Sequence, residues 1–422
     1  MQIISFKEKN NIFRLLKEKD ENSRTISIFI FSNVSLCGRN MFYPNVLLYD
    51  DNHIYSPYDE KIMSLNKDCF YDNNIYDITI SNNANKQQVL GPVFFLIYNF
   101  DNYYHFLYDT LPYLYSYLNI KHLIPSLKLL INYPNKNKKD FYKFNLELLN
   151  KFINMNDIII HQNGNVYSNI YVSTSLTHGG FSNLPPRKEI YELYKNIKYT
   201  INLNPTNKNK NIYISRRTWV NKDISNIGTD YTSRRKMMNE DLLVDKLNDM
   251  GIQEIFTENL TTDEKIQLFN QSEMIIGSIG GGMSNLLFSK TNTKSIVIAT
   301  PYFLDINYRF KYSMEHTNIT YFNNVITYTE DNDIPLYCRV QIITGMHKDK
   351  IGEIVEYNKK TDKYIVNISN NDLAGFNNQH IFDKNEFDKN EFKLLDSGLN
   401  SPYIVDINSL INIIYEKINI NI

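Results

Sequence analysis

Cysteine is scarce in this chain. The 422 residues hold three, Cys37, Cys69 and Cys338, too scattered for a disulfide framework and without the close pair a thiolate metal site needs, so a reducing compartment is expected. Tryptophan occurs once against 32 tyrosines, and with abundant Asn, Ile and Lys this excess reads as AT-rich coding, the tyrosines serving mainly as packing. Charge of one sign is missing too. Lys plus Arg number 45 and Asp plus Glu 46, a net −1 that gives no general attraction to polyanions and makes nucleic acid an unlooked-for partner. No uninterrupted apolar run approaches the roughly 20 residues that span a bilayer, and Met1-Gln-Ile-Ile-Ser-Phe-Lys7 meets charge too soon for a secretory leader, so the expectation is a cytoplasmic chain without a membrane span.

What is present describes a folded α/β protein. A hydrophobic fraction of 42% can fill a core, and the length exceeds what one core usually serves, so two domains with accessories are expected. The boundaries read as 1–204, 205–334, 335–398 and 399–422, with the polar stretch Asn202 to Asn211 as the linker. In the first part, strands such as Ile26–Phe31 and Val93–Phe100 alternate with helical patterns, among them one whose leucines at 107, 111, 114 and 118 form a stripe. The second part runs from the strand at Ile212 through a helix Asn239–Met250 stopped by Gly251. A capping box at Thr261-Thr-Asp-Glu264 then opens a further helix, and strands follow at Met274–Gly277 and Ser295–Ala299. Such alternation predicts a parallel sheet with its site at the carboxyl ends of the strands.

Chemistry concentrates at three places. Gly280-Gly281-Gly282 follows an apolar strand and precedes a predicted helix at Ser284; the segment reads either as a backbone cradle for an anion or as a tight left-handed turn. Arg216 and Arg217 end the strand at Ile212, and Arg234 and Arg235 precede Asn239-Glu240; arginine forks suit diphosphate oxygens, although arginine pairs are more often solvated surface. His105 and Asp109 stand four apart on a predicted helix and can share a face, the carboxylate orienting the imidazole or the two exchanging roles; a structural histidine is the plainer alternative.

These residues together resemble glycosyltransferase family 61. Asn102-Tyr-Tyr-His105-Phe-Leu-Tyr-Asp109-Thr-Leu-Pro112 looks like its Asn-x-x-His-x-x-x-Asp-x-Leu-Pro segment. Arg216-Arg217, Arg235 and Asn239-Glu240 look like its Arg and Arg-x-x-x-Asn-Glu pattern, and Ile276 to Asn285 is similar to its Gly-x-His-Gly-Ala-Gly-x-x-Asn loop, with Ile279 in place of the histidine. The resemblance implies a GT-B fold, two Rossmann-like domains facing a cleft. The first would be the acceptor side; the second would hold a nucleotide-sugar donor, a UDP-sugar first of all. It further implies inverting transfer to a hydroxyl of a glycan or protein acceptor, with no cofactor or metal required. His105 and Asp109 would be catalytic. Arg216, Arg217 and Arg235 would hold the diphosphate, and Gly280, Gly281, Gly282 and Met283 would line it. Asn239, Glu240, Ser284 and Asn285 would contact phosphate, sugar or ribose. A non-catalytic glycan- or nucleotide-binding protein on the same scaffold is the alternative.

Asp331-Asn-Asp333 has the form of a metal-holding pair but sits in a polar segment and reads as an acidic loop. Beyond Pro335, short alternating strands around Gly345-Met-His-Lys-Asp-Lys-Ile-Gly352 predict a small SH3/KOW-like β-barrel insert. Its acidic runs, including Asp-Lys-Asn-Glu-Phe twice over at 383–392, favour a protein contact or a spacer over RNA. An amphipathic helix over 405–418 closes the sequence, expected to pack back on the core against the amino-terminal domain.

Overall fold

The computed structural model describes residues 6–8, 12–19, 25–37, 47–49, 53–56, 61–64, 87–96, 103–131, 139–162, 164–173, 187–199, 211–217, 236–299, 318–327, 339–368, 383–394 and 402–419. The chain forms two compact units, one built on Met1–Leu203 and the other largely on the residues from Asn204 onward.

The first unit carries an eleven-stranded mixed sheet. Its strands are β1 (Phe6–Glu8), β2 (Ile12–Lys19), β3 (Thr25–Phe31), β4 (Val34–Cys37), β5 (Leu47–Tyr49), β6 (His53–Ser56), β7 (Lys61–Ser64), β8 (Gln88–Leu96), β9 (Lys128–Ile131), β10 (Ile158–Ile160) and β11 (Val166–Ser173). β10, β9 and β8 pair in parallel, β8 also pairs in parallel with β11, and β11 meets β3 and β4 antiparallel. Phe94, Phe95 and Leu96 of β8 are fully buried, as a central strand covered on both faces requires. Helices α1 (Tyr103–His105), α2 (Tyr113–Leu123), α3 (Lys139–Leu149) and α4 (Lys188–Tyr199) belong to this unit. Between α1 and α2 the expected leucine-striped helix is interrupted by a π-turn, Phe106–Thr110, whose five residues are all buried.

The second unit has a five-stranded, fully parallel sheet of β12 (Asn211–Ile214), β13 (Gln253–Ile255), β14 (Met274–Ser278), β15 (Lys294–Ile298) and β16 (Ile319–Phe322), in the order β13-β12-β14-β15-β16. This is a doubly wound order, and the direction of winding reverses between β12 and β14, where such sheets open a crevice at their carboxyl ends. Helix α5 (Glu240–Asp249) precedes β13, and α6 (Thr262–Gln271) begins at the expected capping box, Thr261 and Glu264 bonding reciprocally. β17 (Val325–Thr327) pairs with β23 (Tyr403–Val405), after which α7 (Ile407–Asn419) ends the described chain. Leu410 and Ile414 of α7 join Tyr213, Leu243, Ile276 and Ile298 in one core. The helix thus packs on the sheet of its own unit, where an amphipathic face finds a ready apolar surface.

The insert is an open five-stranded antiparallel sheet of β18 (Arg339–Ile342), β19 (Ile351–Asn358), β20 (Lys363–Ile368), β21 (Asp383–Phe387) and β22 (Phe392–Leu394), ordered β21-β20-β19-β18-β22, and it has its own core of Val340, Ile354 and Val366. Among the described residues β21 and β22 do not pair, so the expected barrel is not closed. The duplicated pentapeptide takes two forms. Asp383–Phe387 is strand β21, while Asp388–Glu391 closes a capping box into a 3-10 turn before β22, a case of tertiary context overriding identical local preference.

Candidate active site

In the first unit, His105 ends α1, just before the π-turn. Its Nδ1 lies 2.6 Å from Asp109 Oδ2, with the Asp109 side chain fully buried and that of His105 20% exposed. With Asp109 as a carboxylate, which only accepts, and His105 neutral, Nδ1 is the donor and Nε2 is left to accept a proton. Tyr104 stands edge-on to the imidazole at 5.1 Å and stacks on Tyr108 at 4.9 Å. A buried, hydrogen-bonded carboxyl group behind a partly exposed imidazole is an arrangement that can orient the ring for proton transfer.

In the second unit, the carboxyl ends of β12 and β14 meet across the reversal of strand order. Arg216, just past β12, sends Nη1 to the carbonyl oxygen of Ile279 at 2.8 Å, binding the first turn of the glycine segment. Its backbone N–H donates to Glu240 Oε1 at 2.9 Å, which also accepts from Tyr213 Oη at 2.8 Å and Ser215 Oγ at 3.2 Å. Glu240 is 1% exposed, and burial pushes its carboxyl above the usual range against the pull of these donors. Its Oε2 is buried without a hydrogen-bond partner. Burial likewise raises Glu258, in the 3-10 turn Thr257–Asn259 after β13, opposed by the nearby Lys265 and Arg216 charges.

The glycines have a packing cause. None of the three has a positive φ, so the left-handed-turn reading does not hold. A Cβ on Gly280 would stand 2.5 Å from Arg216 Nη1, and one on Gly282 would stand 2.7 Å from Ile214 Cγ2; Gly281 has nothing within 4 Å. The segment then enters a seven-residue 3-10 helix, Gly282–Phe288, where a helix from Ser284 is expected. Met283, Ser284 and Asn285 are fully buried; Ser284 Oγ reaches Gly280 O at 3.4 Å and Asn285 Nδ2 donates to Gly282 O at 2.8 Å. Short-range bonds of this kind wind the chain tightly and turn the Ser284 and Asn285 side chains toward the loop's own carbonyls.

Two expected ligand residues are committed elsewhere. Arg217 forks onto Glu254 at 2.7 and 2.8 Å and reaches Asp241 at 2.6 Å, and the Glu254 hydrogen bonds hold its guanidinium more basic than usual. The Asn239 amide pairs with both backbone groups of Val405, at 2.8 and 3.1 Å. Arg234, Arg235 and Asp331-Asn-Asp333 lie outside the described residues. Among the described residues no group of three or more His, Cys, Asp or Glu is placed to hold a metal ion, and no helix is long and apolar enough to cross a membrane. The residues not anticipated are Tyr213, Ser215, Glu258, Ser278 and Tyr403, the last two joined by a buried 2.7 Å hydrogen bond. They carry no motif, because their partners are brought in from distant parts of the chain.

Fold and geometry define an α/β protein with a doubly wound parallel sheet in one unit and an imidazole–carboxylate pair in the other. The model of the family described as Glycosyltransferase 61 matches residues 103–296, a stretch that begins beside His105 and ends within β15. This match supports the resemblance read from the residues, and the activity it points to is glycosyl transfer. No curated protein matches the chain.

Proposed function

We propose that the protein is an inverting glycosyltransferase that moves a sugar from a nucleotide-sugar, a UDP-sugar first of all, to a hydroxyl of a glycan or protein acceptor without needing a metal. The observation that carries this reading is the 2.6 Å bond between His105 and Asp109. With Asp109 fixing the hydrogen on Nδ1, His105 Nε2 takes the proton of the acceptor hydroxyl. The acceptor oxygen attacks the anomeric carbon, the bond from that carbon to the diphosphate oxygen breaks, and the configuration inverts. Arg216, held beside Gly280, supplies positive charge for the departing diphosphate. Asn239 and Arg217 act as braces of this edge, and Met283, Ser284 and Asn285 keep the glycine segment in shape. The antiparallel sheet of the insert serves as a protein contact.

The test has two arms. UDP- and GDP-sugars are screened by thermal shift, and transfer is followed as released nucleotide with a panel of glycan acceptors. Stabilisation by a nucleotide together with turnover that His105→Ala abolishes supports the reading; a fold that no nucleotide stabilises overturns it.

A further inference from the structure

The His105–Asp109 pair straddles the junction of α1 and the π-turn, and a π-turn leaves a bookkeeping problem in its carbonyls. Leu111 N–H bonds to Phe106 O at 2.7 Å, five residues back. In an α-helix that N–H would serve Leu107 O. The next N–H along a π ladder would come from position 112, but Pro112 has none. Leu107 O, inside a fully buried segment, is thereby cut off from both helical donors. The donor comes from 87 residues away: Tyr194 Oη of α4 bonds to Leu107 O at 2.9 Å, and Tyr194 is itself 1% exposed.

We infer that Tyr194 is a positioning residue for the proposed base, holding the π-turn that sets Asp109 against His105. A buried carbonyl without a donor is costly, so removing the phenol hydroxyl favours any rearrangement that gives Leu107 O a partner. The nearest is an α-helical ladder in which Leu111 N–H returns to Leu107 O. That shift changes the residues per turn between His105 and Asp109 and so alters the angle and distance at which the carboxylate meets Nδ1. Pro112 is the reason the arrangement needs an outside donor, and Tyr194 is the residue that answers it.

This inference rests on the proposed base role, and its test has a readout independent of turnover. In protein labelled with ¹⁵N-histidine, wild type should show a low-field, slowly exchanging Nδ1 proton on His105. Tyr194→Phe, which keeps the ring, should lose or broaden that signal and lower turnover about 10- to 100-fold with the donor KM unchanged. Adding Pro112→Ala, which restores an N–H five residues beyond Leu107, should recover part of both. A Tyr194→Phe protein with the wild-type Nδ1 signal and turnover, or a double variant no better than the single one, overturns the inference. Should Tyr194→Phe fail to fold, difluorotyrosine at 194 changes the strength of the phenol donor while keeping it, and a His105 Nδ1 signal that does not move is then the overturning result. If wild type shows no transfer, the functional reading fails while the Nδ1 signal still decides the positioning role.

Discussion

The guanidinium of Arg216 occupies the place a side chain at Gly280 would need, Nη1 lying 2.5 Å from the position of the missing Cβ. The two residues follow strands on either side of the point where the sheet reverses its winding, so the glycine makes room for an arginine of the same chain.

Gly280→Ala is therefore expected to displace Arg216 and weaken nucleotide binding about as much as Arg216→Ala does, on the order of tenfold or more for one charge-assisted contact. Gly281→Ala, with open space around it and no positive φ, is expected to bind normally. Titration of UDP by calorimetry distinguishes the three; equal loss at 280 and 281 would mean that backbone approach, and not the arginine, is what the glycines serve.

His105→Ala and Asp109→Asn are expected to lower turnover by about 10²- to 10⁴-fold, the usual contribution of a positioned base, while leaving the UDP dissociation constant unchanged. Single-turnover transfer measured beside equilibrium binding checks this. Loss of binding in step with turnover would assign the pair to structure.

His161 gives the fold a pH dependence. It is 3% exposed, bonded through Nδ1 to Tyr167 Oη at 2.7 Å, and burial lowers its pKa from 6.5 to about 4. The unfolded chain then binds this proton more readily, so the contribution is complete above pH 6.5 and is lost as pH falls toward 4, amounting to roughly 3 kcal/mol. His161→Gln is expected to flatten that part of the stability profile, read from denaturant midpoints between pH 4 and 7.

Leu410→Ala in α7 is expected to cost about 2–5 kcal/mol, because Leu410 is fully buried in the core beneath the parallel sheet. Tyr415→Ala, at a position 50% exposed on the same helix, is expected to change stability by less than about 0.5 kcal/mol. Thermal melts of the two variants side by side would show whether the terminal helix belongs to that core.

Much of this architecture was legible because local chemistry was enough to write it. The capping box at Thr261 and Glu264 names its own helix start, and the apolar runs at Ile212, Met274 and Ser295 name buried parallel strands. The spacing of His105 and Asp109 announced that they could meet. Less legible was the turn through which they meet, since π geometry depends on Pro112 and on a tyrosine far along the chain. Arg217 and Asn239 looked like ligands because residue type carries no record of a partner. Glu254, Asp241 and the Val405 backbone claim them only after the sheet forms.

By itself the sequence determined the alternation of strands and helices, the parallel sheet and the short list of groups able to do chemistry, all of which follow from side-chain periodicity and from caps a few residues long. Tertiary structure alone decided which groups on that list stay available. It braced Arg217 and Asn239, wedged Arg216 into the space at Gly280 and gave Leu107 its donor, because each depends on hydrogen bonds between segments that only the folded sheets bring within 3 Å or so.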